Sequence, residues 1–118
     1  MSRPVIALAG AVLLLAAGCG SQPAPPPQQV IDTVGIRSEL LAIGKAEGQY
    51  LVTHSTYGTL EQLQQDGLLT GGADRRGYTV SIEVNGSEGY TATAVPSDPG
   101  KQHWPTLVMN QTSQVTER

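Results

Sequence analysis

Apolar and polar positions alternate with two different periods along this chain, and the change of period divides it. From Val30 to Val52 the apolar residues recur at helical spacing over a stretch long enough for a long helix. At 3.6 residues per turn, Leu40, Leu41, Leu51, Val30, Val34 and Val52 fall on one broad face, with Ile36, Ile43 and Tyr50 on its flank. Lys45, Ser38, Gln49 and Glu39 fall opposite. The apolar arc is wider than the roughly 100° of an ordinary surface helix, and Arg37 and Glu47 lie within it. Two readings fit such an arc: a core helix covered by its own sheet, which is the simpler, or a helix shared between its own sheet and a neighbour. Gly35, Gly44 and Gly48 interrupt the segment, each costing about 1 kcal/mol against Ala in a helix interior. Tertiary packing therefore has to hold the helix, and Gly44 and Gly48 would let another backbone approach.

Downstream the period shortens to two. Thr59 to Gln62 reads as a capping box opening a short helix through Leu60 and Leu63, with Gly67 closing it. Thr70 to Gly77 is polar and glycine-rich and reads as a loop carrying Asp74, Arg75 and Arg76. Tyr78, Val80, Ile82 and Val84 alternate with Thr79, Ser81 and Glu83, the signature of a half-buried strand. Asn85-Gly86 supplies a hairpin turn, and Tyr90 to Val95 returns. Thr106 to Asn110 is a third strand, and Val115-Thr116 ends the chain as a short fourth. One long helix followed by a meander of three to four strands predicts an α+β domain over residues 30–118, the helix packed on a small antiparallel sheet.

The first 29 residues have a different character. Arg3 precedes an apolar run from Val5 to Ala17 that is too short to span a bilayer as a helix. The run leads through Leu15, Ala16, Ala17 and Gly18 directly into Cys19, the sole cysteine. This ending resembles the lipobox of bacterial lipoproteins. The resemblance implies a signal peptide over residues 1–18, cleavage between Gly18 and Cys19, and a covalent lipid (palmitate-type acyl chains on a diacylglycerol) at the Cys19 thiol. With one cysteine, no internal disulfide and no cysteine-based metal site is available. Residues 19–29 are rich in Pro and small polar residues and read as a tether, spanning about 30 Å as polyproline II. The expected location is the bacterial cell envelope, anchored to a membrane and facing the periplasm or the exterior.

A second resemblance covers most of the chain from Ser38 to Met109. Leu40-x-x-Ile43-x-x-Ala46-Glu47-x-x-Tyr50 is followed by Tyr57-Gly58-x-Leu60-x-x-Leu63-x-x-x-Gly67-Leu68-Leu69, by Gly77-Tyr78-x-Val80, and by Gly89-Tyr90-Thr91-Ala92-Thr93-Ala94-x-Pro96-x-x-Pro99-Gly100. In this order the pieces resemble the globular part of type IV pilin-like and pseudopilin-like proteins. The resemblance implies the helix-on-sheet fold, with pilus or secretion-system proteins as partners. It stops at the globular part: a prepilin-peptidase site with its following Glu, and the long hydrophobic helical half that builds a filament core, have no counterpart here.

Little else in the chain suggests chemistry. His54 and His103 lie on separate segments without ligands at zinc spacing, and no calcium loop or phosphate loop is present, so no catalytic residue, metal or cofactor beyond the lipid is assigned. The net charge of −3 gives nucleic-acid binding no electrostatic support. Asp74, Arg75, Arg76, His103 and Trp104 are the candidate partner contacts, Trp104 being equally suited to filling the core. The expected function is a lipid-anchored, non-enzymatic interaction module. The alternative is a small lipoprotein acting as inhibitor or accessory subunit of a periplasmic enzyme or secretion complex.

Overall fold

The computed structural model describes residues 25–118. The signal segment, Gly18, Cys19 and most of the tether lie outside the described residues. The domain is α+β, as expected, with five strands rather than three to four. Helix α1 spans Pro27–His54, and helix α2 spans Leu60–Gln65. Strands β1 (Asp74–Arg75), β2 (Tyr78–Asn85), β3 (Gly89–Pro96), β4 (Leu107–Asn110) and β5 (Val115–Glu117) form one antiparallel sheet in sequence order. A 3-10 turn, Pro99–Lys101, sits between β3 and β4.

Helix α1 starts three residues before the predicted Val30, so Pro27, Gln28 and Gln29 belong to its first turn and not to the tether. Proline at the first helical position loses no hydrogen bond, because that amide has no intrahelical acceptor, and its fixed φ already suits the helix. The helix stops at Ser55, whose left-handed φ of 62° turns the chain away. The capping box at Thr59 forms as predicted: its hydroxyl accepts from the Gln62 amide at 3.2 Å, and the Gln62 side chain accepts from the Thr59 amide at 2.8 Å.

Rows of facing side chains run across the sheet. Val80, Ala94 and Leu107 are in register, as are Ile82, Ala92, Met109 and Val115. The central strand β3 thus contributes alanines between larger neighbours, leaving a shallow trough. The side chains of Ile36, Leu40, Ile43, Ala46 and Tyr50 on α1 join these rows in one core with Leu63, Tyr78, Tyr90 and Trp104. Among the residues of the opposite sheet face, Thr79, Ser81 and Glu83 on β2 and Thr91 and Thr93 on β3 are polar, the pattern of an antiparallel sheet wet on one side.

Strand β1 escaped the sequence reading because two residues carry no periodicity. A two-residue turn, Arg76-Gly77, makes it: both have positive φ, 52° and 80°, which matches the twist of the flanking strands.

Candidate functional site: the corner and outer face of the long helix

The structure brings the loop of Arg76 and the segment just before His103 and Trp104 to one place, the first turns of α1. Asp32 is buried there. Its carboxylate accepts from Lys101 Nζ at 3.1 Å and lies 3.6 Å from the Arg76 guanidinium. Hydrogen bonds from Gln28 and Lys101, with the charges of Lys101 and Arg76, hold its carboxyl below the usual carboxylate range against the opposing effect of burial. Lys101 also donates to the Arg76 carbonyl at 3.3 Å and lies 4.8 Å from the centre of a Trp104 ring. The Arg76 side chain crosses α1 at Gly35, where a Cβ would collide with the guanidinium. That close approach is what Gly35 provides in return for its cost in helix propensity.

The five predicted contacts divide. Trp104 is buried in the core, 6.4 Å ring to ring from Tyr78, so it is not a surface contact. Its amide donates to the Lys101 carbonyl at 2.9 Å, directly after the turn from Pro99 to Lys101. Arg75 also points inward: it donates to Glu39 at 3.2 Å, to the Gly72 carbonyl at 2.9 Å and to the Thr70 carbonyl at 2.7 Å, bracing the loop before β1. Asp74, Arg76 and His103 remain exposed. His54 ends α1 and pairs with Asp66 at 2.7 Å, stacked on Tyr50.

The outer face of α1 was misassigned by periodicity. The buried residues are Asp32, Ile36, Leu40, Ile43, Ala46, Glu47 and Tyr50. Thus the predicted flank is the core side. Of the residues predicted to face the core, Val30, Val34, Leu41 and Val52 are 45%, 56%, 49% and 85% exposed. At about 100° per residue these four lie within about 40° of one another, opposite the core residues. The helix therefore has two apolar faces and covers only one. Ile31, 57% exposed, widens the outer face near its N-terminal end. Beside Val30 and Val34 a hollow of about 290 Å³ is also lined by Pro25, Gln29, Thr33 and Pro105. Lys45, expected on the side opposite these residues, is instead exposed on the same arc, about 20° around from Val34 and Val52, and Arg37 at its edge pairs with Glu117 at 2.8 Å. Gly48 also lies there, with nothing in the chain within 4 Å of where a Cβ would stand.

A larger open hollow of about 570 Å³ lies at the β2–β3 hairpin, walled by Glu83, Asn85, Glu88, Tyr90, Asn110 and Gln111. Among the described residues no group of three or more His, Cys, Asp or Glu is placed to hold a metal ion, and no helix is long and apolar enough to cross a membrane. Compared with known protein families, curated proteins and solved structures, the chain shows no significant match.

Proposed function

We propose that this protein is a lipid-anchored, non-enzymatic interaction module of the bacterial cell envelope, with a pilin-like body. The anchor reading comes from the residues Leu15 to Cys19, which resemble a lipobox. The observation that carries the interaction reading is the second apolar face of α1, left uncovered among the described residues. Exposed apolar residues aligned on one face beyond what folding needs point to a docking face. A separate protein contact falls to the exposed loop residues Asp74, Arg76 and His103, held on a rigid corner by Asp32 and Lys101. Pilus or secretion-machinery proteins are the partners the resemblance implies.

The test starts with intact mass of protein extracted from membranes. The expected chain begins at Cys19 and carries the mass of a diacylglycerol, and Cys19→Ser abolishes both. An unmodified chain with another first residue overturns the anchor. Crosslinked membranes are then probed with wild type and His103→Ala. Recovery of pilus or secretion components, reduced in the variant, supports the module; recovery of one soluble enzyme instead points to an inhibitor or accessory subunit.

A further inference from the structure

We propose that the outer stripe of α1 is a membrane-resting face, laid against the anionic surface of the bilayer that anchors the chain. The inference rests on the lipid-anchor reading above and names the occupant of the face that reading leaves uncovered.

The tether length comes first. Because α1 begins at Pro27, residues 20–26 are all that separates Cys19 from the helix. Seven residues reach no further than about 25 Å fully extended. The end of α1 nearest that attachment is also the most apolar part of the stripe, with Val30, Ile31, Val34 and the hollow beside them. A helix of 28 residues is about 42 Å long, so it can lie flat beside its own anchor point.

Charge selects the same face. The carboxylates of α1 are Asp32, Glu39 and Glu47, and all three lie on the core side of the helix, at least about 80° around from the stripe. Glu117, the carboxylate bordering the hollow, is paired with Arg37. Lys45 stands on the stripe, and no salt bridge is formed by it among the described residues. The remaining carboxylates, including Glu83 on the wet face of the sheet and Glu88 in the hairpin, lie on other elements. A domain of net negative charge meets an anionic surface more favourably through a face that carries a lysine and no free carboxylate.

The same charges argue against a second copy of this chain. Pairing two stripes in parallel sets Lys45 beside Lys45, with no carboxylate on the stripe to offset them; pairing them antiparallel about Leu41 sets Lys45 beside Arg37, whose carboxylate partner, Glu117, is already engaged. An acidic partner helix would suit the charges, but it arrives by diffusion, whereas the tether holds the bilayer at high effective concentration.

The test uses the full acylated protein in vesicles of phosphatidylethanolamine and phosphatidylglycerol carrying a photoactivatable diazirine phospholipid, with labelled peptides mapped by mass spectrometry. Labels should concentrate on the exposed α1 residues from Val30 to Val52 and spare the hairpin Asn85 to Gly89. Labelling of α1 should fall several-fold in phosphatidylcholine vesicles and in Lys45→Glu, while flotation with the vesicles, which reports the acyl anchor, stays unchanged. Leu41→Asp should act likewise; both positions are exposed, and thermal melting confirms that the variants fold. Labels spread evenly or concentrated on the sheet, with flotation intact, overturn this inference alone. Loss of acyl mass and of flotation in the wild type overturns the anchor reading and this inference together. In Leu41→Cys on the same vesicles, acylated Cys19 leaves one free thiol, and a disulfide-linked dimer would assign the face to a second copy and overturn the proposal.

Discussion

Glu47 is a carboxylate with no place for its charge. Its side chain is fully buried; one oxygen accepts from the Gly58 amide at 2.7 Å, and the other has no partner. Burial pushes its pKa up to about 7, and the Gly58 hydrogen bond only partly opposes this. The folded state therefore binds a proton that the unfolded chain releases near its ordinary value of 4.5. Stability falls as pH rises through that interval and stays low above about 7. In Glu47→Gln this slope should vanish, and the variant should gain about 2 kcal/mol on the wild type between pH 5.5 and pH 8, read from urea midpoints at the two pH values. Asp32 has the opposite sign: its lowered pKa makes its contribution present at neutral pH and lost only in acid. The sequence showed Glu47 inside an apolar arc, which was the signal. It could not show Asp32 buried, because the two cations that make burial tolerable come from residues 44 and 69 positions away.

At the scale of the element, α1 poses a problem that periodicity alone does not solve. Leu40 and Leu41 are neighbours, yet one is fully buried and the other half exposed. Leu40→Ala should cost about 2–5 kcal/mol of unfolding free energy. Leu41→Ala should cost well under 1 kcal/mol by the same denaturant measurement. Equal losses would show that both faces of the helix are covered. Apolar residues on two opposite faces leave the pattern no way to choose, and by width alone the outer arc reads as the core. The strands were easier to read. One face of β2 is wet, so its alternation is clean, and Asn85-Gly86 fixes the hairpin, Gly86 taking a positive φ of 58°. Thr59→Ala should cost about 1 kcal/mol by thermal melting, since the capping box ties both ends of the first turn of α2.

For the whole molecule, the sheet covers one side of α1 and the other is left to the surroundings. The fragment of residues 25–118 contains every core residue described, and in solution it should sediment as a monomer at micromolar concentration, because no carboxylate on its stripe neutralises Lys45. The purely sequential strand order has a further consequence, for the order in which the chain assembles. Two, three, ten and four residues connect successive strands, so each pairing closes a short loop at small entropic cost. Seating the helix is a different event: the Arg37–Glu117 contact joins positions 80 residues apart. Local pairings form quickly and distant ones slowly. The β2–β3 hairpin and its neighbours should therefore assemble first and offer the trough over Ala92 and Ala94 as a ready template. Helix α1, though first along the chain, is then the last piece to settle, and Lys101 and Arg76 close on Asp32 only as it does.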